Sequence, residues 1–146
     1  MSKASVLLIP LLLIALGLEA QLFKKKINQF DKDGLRTGLW KTYWDEEKKI
    51  PMSIANFEKG RETGICKEYH NNGKLRLKSR YIKGKIRMKY YGENRKLISK
   101  GWAVIDYTSG DIHFYWHGKW KYFNKHHQLV KISIYENGNE SLCIVK

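Results

Sequence analysis

The sequence predicts an all-β protein built of β-hairpins that repeat along most of the chain. Three observations support this fold class. Apolar and polar residues alternate with a period of two, most clearly from Lys74 to Tyr81. Turn signals such as Asn72-Gly73 separate the alternating runs. Glycine, aromatic and leucine positions recur at fixed intervals, which is typical of a repeat architecture.

The clearest copy of the repeat lies between Gly64 and Gly84. Its glycine, aromatic and leucine positions are separated by 5, 6, 6 and 3 residues, and the second full copy, from Gly118 to Gly138, has the same intervals. Partial copies are Gly38 with Tyr43, Phe57 with Gly60, and Tyr91 with Leu97. The residue two positions after the first glycine is Trp40, Cys66 or Trp120, and we call this the Trp slot. Residues 100–117 fit the pattern poorly.

The N-terminal segment is predicted to be a signal peptide helix, residues 1–20. Lys3 supplies a positive start, an apolar run of 13 residues extends from Val6 to Leu18, and Ala20 precedes the expected cleavage before Gln21. Such a run is short for a membrane span, which needs about 20 residues, so no transmembrane span is expected in the mature chain. An uncleaved short anchor is the alternative. Export to the periplasm or the extracellular space is the predicted localisation.

Residues 21–33 are predicted to be a basic lead-in, and residues 34–146 the repeat domain. The lysines of the lead-in, Lys24 to Lys26, indicate either a solvated charge run or a lipid-binding site. In the first repeat, Trp40 and Tyr43 are expected to face the core. The acidic cluster Asp45 to Glu47 falls in the extra length of this repeat, and we expect it in an exposed loop. Met52, Ile54 and Phe57 are expected in the return strand.

The basic centre of the sequence, residues 74–100, has eleven Lys or Arg residues and one acidic residue. If Lys83-Gly84 is a two-residue loop, Arg80 lies opposite Arg87 and Lys78 opposite Lys89. Like charges opposite each other destabilise a strand pair, and an anionic ligand would offset this. A solvated, screened outer face is the alternative. The predicted binding residues are Lys74, Arg76, Lys78, Arg80, Lys85, Arg87 and Lys89.

The C-terminal part is predicted to form five further strands, at residues 102–107, 112–116, 120–123, 129–135 and 142–145. Ser109-Gly110 and Asn137-Gly138 supply turns between them. Trp120, in the Trp slot, is expected to be buried.

Catalytic and metal-binding patterns are weak. His113 and His117 lie four residues apart, about 13 Å along a strand, which is too far for one metal ion without ligands from elsewhere. No nucleophile with a base, phosphate loop or zinc-type cysteine pair is found. The sequence therefore predicts no enzyme, no metal and no cofactor. Cys66 and Cys143 leave open a disulfide in an oxidising compartment, or a buried thiol at Cys66.

The motifs GLWKTYW, FEKGRETGICKEYHNNGKL and YIKGK resemble MORN-type repeats in their divergent bacterial form, a group that includes YwqK-family antitoxins of toxin–antitoxin systems. The resemblance covers roughly residues 27–141. It implies that the hairpins form an antiparallel meander, as one elongated curved sheet. Two departures are Arg95, which replaces a turn glycine, and Met88, which stands where a glycine would follow Gly84.

The net charge of +14 indicates an anionic partner or a cationic surface role. The first functional hypothesis is a non-catalytic exported binding module for an anionic lipid or polysaccharide of the cell envelope, or for an acidic protein. The alternative, implied by the resemblance, is an antitoxin or immunity protein that neutralises a toxin by direct binding. A structural repeat protein without a specific ligand is a third reading. Nucleic acid suits the charge but not the exported address.

Overall fold

The computed structural model describes residues 26–108 and 111–146, and these form one antiparallel sheet of ten strands. The strands pair in sequence order with no crossover. Their bounds are β1 Gln29–Phe30, β2 Arg36–Tyr43, β3 Pro51–Glu58, β4 Arg61–Tyr69, β5 Leu75–Ile82, β6 Lys85–Tyr91, β7 Leu97–Asp106, β8 His113–Phe123, β9 Leu129–Glu136 and β10 Asn139–Val145. The predicted all-β meander of hairpins is confirmed. The predicted signal peptide and the Ser109-Gly110 turn lie outside the described residues.

The sheet is open and uncurled, so the curvature that the resemblance implies is wrong. Among the described residues each strand pairs only with its sequence neighbours, so β1 and β10 remain the two edges of an open sheet. Nine strand spacings of about 4.8 Å place these two edges about 43 Å apart. Edge strand β1 comes from the lead-in.

Three hairpins turn through two residues that both have positive φ. These pairs are Lys59-Gly60, Lys83-Gly84 and Asn137-Gly138, and positive φ at both central positions defines a type I′ turn. The middle turn confirms the register predicted for its strands, with Arg80 opposite Arg87 and Lys78 opposite Lys89.

The first glycine of each repeat lies inside a strand and not at a turn. Gly38, Gly64 and Gly118 have φ values of 69°, 66° and 66°. At Gly64 and Gly118 the strand pairing shifts register, which identifies β-bulges. Because Gly118 forms a bulge within β8 and not a turn, residues 113–123 form one strand. The prediction of two strands at residues 112–116 and 120–123 is therefore wrong.

The Trp-slot side chains occupy equivalent positions. The indole N–H of Trp40 donates to the carbonyl of Thr37 at 3.1 Å, and the thiol of Cys66 donates to that of Thr63 at 3.8 Å, three residues back in each case. The indole N–H of Trp120 donates instead across to the Trp102 carbonyl at 2.8 Å.

The hairpin of β6 and β7 contains the same slot. Met88 lies three residues before Tyr91, as Trp40 lies three before Tyr43, so Met88 takes the Trp slot and not a glycine position. It is buried.

The hydrophobic core occupies one face of β5 to β8. Its buried residues are Leu77, Ile86, Met88, Ala103 and Trp120, with aromatic residues of β8 and β9 packed against them. Trp120 is fully buried, as predicted, and stacks on Trp116 with ring centroids 4.2 Å apart. We call this side the aromatic face.

The acidic cluster lies in the loop between β2 and β3, as predicted. The carboxylate of Asp45 accepts hydrogen bonds from the backbone N–H groups of Lys49 and Ile50. These bonds hold the pKa of Asp45 below its ordinary value. Asp45 therefore closes a turn.

Candidate anion-binding face

A row of lysines crosses five consecutive strands on the face opposite the core. Each member lies directly opposite the next in the strand register. The members are Lys67, Lys78, Lys89, Lys100 and Lys121, which we call the lysine ladder. Since neighbouring strands are about 4.8 Å apart, the ladder spans about 19 Å. Ile54 and Ile132 continue the row beyond its two ends.

The repeat itself encodes three of the five members of this ladder. The repeat hairpins are, in chain order, β2–β3, β4–β5, β6–β7 and β8–β9. A lysine directly follows the Trp-slot residue in each of the four, at Lys41, Lys67, Lys89 and Lys121. The position after the slot points away from the core because side chains alternate along a strand. Lys78 and Lys100 come from the return strands of the second and third hairpins. The third and fourth hairpins thus contribute Lys89, Lys100 and Lys121 together.

Arginines and apolar residues form a second row beside the ladder. Arg80 lies opposite Arg87, which lies opposite Trp102. Ile65, opposite Arg80, closes a shallow depression of about 150 Å³ lined by Lys78, Arg80, Arg87 and Lys89. An adjacent depression of about 240 Å³ is lined by Arg87, Lys100, Trp102, Lys119 and Lys121 among others. The two depressions meet at Arg87.

The cations of this face have no acidic partner among the described residues. The ion pairs in residues 26–108 and 111–146 are Lys49–Glu47, Arg76–Glu68 and Lys131–Glu140, and none includes the ladder. Acidic side chains near the middle of the sheet lie on the aromatic face: Glu62 accepts a hydrogen bond from the Tyr81 hydroxyl, and Glu68 lies opposite Leu77. Burial, followed by this contact with Glu62, raises the pKa of Tyr81. The two faces of the sheet therefore differ sharply in charge.

Five of the seven predicted binding residues lie on one face, as expected. Lys78, Arg80, Arg87 and Lys89 line one depression. Lys85 lies opposite Ile82 and Val104 at the start of β6, on the same side by alternation.

Two of the seven predicted binding residues lie elsewhere, which corrects the prediction that they share this face. A register shift makes Arg76 an extra residue in β5, so it escapes the alternation and its guanidinium pairs with Glu68. Lys74 precedes β5 and lines a separate cleft with Tyr91 and Arg95. Both residues thus leave the row that period-two alternation predicts.

Four cationic residues of the face were missed by the sequence analysis: Lys67, Lys100, Lys119 and Lys121. The signal that identifies two of them was present, since Lys67 and Lys121 take the same repeat position as Lys89. Lys100 carries no such signal. It joins the ladder because a register shift at the Gly118 bulge pairs it with Lys121.

A larger cleft of about 490 Å³ lies beside the turns that join β2 to β3 and β4 to β5. Its walls include Trp44, Met52, Tyr69 and the ion pair of Arg76 with Glu68. The Trp44 indole N–H donates to the Tyr69 carbonyl at 3.1 Å. Because its charged groups already satisfy each other, the cleft offers no free charge to a ligand.

The two cysteines are both free thiols, which settles the open disulfide question for this structure. Cys66 is buried in β4 and Cys143 is exposed in β10, six strands along the sheet. Burial, followed by the charge of Glu62, raises the pKa of the Cys66 thiol to about 11. In the described parts of the chain, no three His, Cys, Asp or Glu side chains converge as a metal site would require.

No family model, curated protein or solved structure matches the chain. Within the described residues, no helix has the length and apolar character needed to cross a membrane.

Proposed function

We propose that this chain is a non-catalytic, exported binding module of MORN-like hairpins, and that the lysine ladder binds an anionic component of the cell envelope. The observation that supports this function is the ladder itself: five cations in register, without an acidic partner among the described residues. The repeat supplies three of these cations, Lys67, Lys89 and Lys121, at a constant position, so charge recurs with the hairpins.

An anion on the ladder would relieve a real electrostatic cost. Two unit charges about 6 Å apart in water repel by about 0.7 kcal/mol, and the ladder contains four such neighbouring pairs. Salt screens part of this repulsion. A ligand that carries several phosphates or carboxylates would neutralise several pairs at once, which a monovalent counterion does not do.

The shape of the face favours a repeating or planar anion. Its depressions are shallow, and Ile65 and Trp102, both among the exposed large hydrophobic residues, stand between the cations. Tryptophan at such a position can contact the apolar part of an interface while lysine heads reach anionic groups. Anionic lipid headgroups and acidic polysaccharides share this charge chemistry.

The test compares two triple variants with the same net charge. Lys78→Gln, Lys89→Gln and Lys100→Gln together remove the centre of the ladder. Lys32→Gln, Lys48→Gln and Lys125→Gln remove three exposed lysines from turns and leave the ladder intact. Binding of the purified protein is measured by co-sedimentation with vesicles of zwitterionic lipid, with and without an anionic phospholipid. A soluble acidic polysaccharide serves as competitor, at low and moderate salt.

The proposal expects the wild type and the turn variant to bind anionic vesicles or the polysaccharide, and the ladder variant to lose binding. Added salt should weaken the binding. Equal loss in both variants would show a response to overall charge and overturn the assignment to the ladder. No wild-type binding to either anion, with capture of an acidic protein instead, would favour the antitoxin or immunity hypothesis.

A further inference from the structure

The two edge strands of the sheet differ in length and therefore in how readily each could pair with another chain. Edge strand β1 has two residues, whereas β10, at the other edge, has seven, and all seven are exposed. Leu142 and Ile144 are 48% and 45% exposed. A long apolar edge strand presents unpaired backbone groups that can pair with another chain.

The hydrogen bonding of β10 to β9 defines which backbone groups are free. The N–H of Lys146 donates to the Val130 carbonyl at 2.9 Å, so these two residues form a hydrogen-bonded pair. Every second residue back along β10 does the same, which makes Ile144 with Ile132, and Leu142 with Ile134, hydrogen-bonded pairs. Hydrogen-bonded pairs alternate with non-bonded pairs in an antiparallel ladder. The backbone N–H and C=O groups of Cys143 therefore point outward, away from β9.

The side chains near this edge form an aliphatic patch beside the lysine ladder. Leu142 lies opposite Ile134, and Ile144 opposite Ile132. Ile132 itself lies opposite Lys121, which places the patch on the ladder side of the sheet.

We propose that β10 pairs antiparallel with β10 of a second copy of this chain, about a two-fold axis at Cys143. That register is self-complementary. It sets Leu142 opposite the second copy's Ile144 on both sides of the axis, within the regular part of β10 that follows the bulge at Ser141. A two-fold interface uses the same patch on both copies, as this one does. The result is one continuous sheet with both aliphatic patches joined and both ladders on the same side.

Repulsion between two such basic chains is small at this edge. The nearest ladder residue, Lys121, lies in β8, so five strand spacings of about 4.8 Å, or about 24 Å, separate it from its counterpart. This exceeds the screening length of about 8 Å at physiological ionic strength. The lysine closest to the edge in β9, Lys131, is already paired with Glu140 at 3.1 Å. The charges of the ladder and of β9 therefore do not oppose a second copy at β10.

A cysteine scan tests the register directly. In a hydrogen-bonded antiparallel pair the Cα atoms are about 5.5 Å apart, within the range that a disulfide spans. Mild oxidation with copper phenanthroline should therefore link two copies through Cys143, and Cys143→Ser should abolish the link. In the Cys143→Ser background, Leu142→Cys alone faces Ile144 and should not link, whereas Leu142→Cys with Ile144→Cys should.

Sedimentation measured under reducing conditions provides the second readout. The wild type should approach twice the monomer mass as its concentration rises, without any disulfide. Val145→Pro, at another outward-facing position, removes a free N–H and should keep the protein monomeric while β9 pairing survives. Monomer mass for the wild type at every concentration would overturn the proposal. Equal linking by single cysteines at 142 and 143 would overturn the register. Neither result bears on anion binding by the ladder.

Discussion

The contact between Trp120 and Gly101 gives the sharpest prediction for the repeat geometry. Gly101 lies in β7 beneath the Trp120 ring, and a Cβ built on it would stand 2.3 Å from the nearest ring carbon. Ordinary contacts between such atoms are about 3.5–4.0 Å, so the ring or the strand would have to move by more than 1 Å, roughly. The ring cannot move freely, because it stacks on Trp116 and donates a hydrogen bond to Trp102.

Two single variants and their combination test this contact. Gly101→Ala overfills the site and should lower the free energy of unfolding by about 2–3 kcal/mol. Trp120→Ala empties it and should cost about 3–5 kcal/mol. In the double variant, the added methyl group enters the space that the ring has left. The double variant should therefore be no less stable than Trp120→Ala alone, which gives a coupling energy of about 2 kcal/mol or more between the two sites.

Urea unfolding followed by circular dichroism measures all three free energies without relying on tryptophan fluorescence. Gly92→Ala is the control, because a Cβ at Gly92 would lie 3.1 Å from Oδ1 at the end of the flexible Asn94 side chain. It should cost less than Gly101→Ala. Additive losses at Gly101 and Trp120 would refute the geometry, as would a loss below about 1 kcal/mol for Trp120→Ala. If Trp120→Ala does not fold, Trp120→Leu completes the cycle.

Three other predictions concern charge, thiols and processing. Lys78→Glu with Arg80→Glu converts like-charge cross-strand pairs into opposite-charge pairs, so the thermal midpoint should stay equal or rise while anion binding falls; a clear drop in midpoint would contradict this. The raised pKa of Cys66, about 11, predicts that iodoacetamide at pH 8 modifies Cys143 and spares Cys66. Because the unfolded thiol ionises near its ordinary value of 9.0, stability should decline between pH 9 and 11 through this group, and substitution by alanine should remove that decline. N-terminal sequencing of the exported protein should begin at Gln21, and recovery of the intact N-terminus from a cytoplasmic fraction would contradict export.

The strands and turns were predictable because their determinants are local. Lys83-Gly84 both adopt positive φ, and a two-residue turn of this kind fixes the register of its own hairpin. Arg80 opposite Arg87 follows from that alone. Burial of Trp120 followed from its position in the repeat.

The bulges limited prediction from the sequence. Gly64 and Gly118 mark the repeat, but the sequence does not show that they lie inside strands or that each one shifts the register of the next strand pair. Arg76 was misplaced for the same reason, since an extra residue in one strand removes its side chain from the period-two pattern.

The sequence by itself determined a meander of hairpins with lysine at a repeated position, because alternation and turn chemistry act over a few residues. Only the tertiary structure decided that Lys100 meets Lys121 and that the ladder crosses five strands. Those residues are 21 positions apart, and their pairing depends on a register shift between separate strands. In the part of the chain that the structure describes, β10 is also an exposed edge, because it pairs on one side only, with β9.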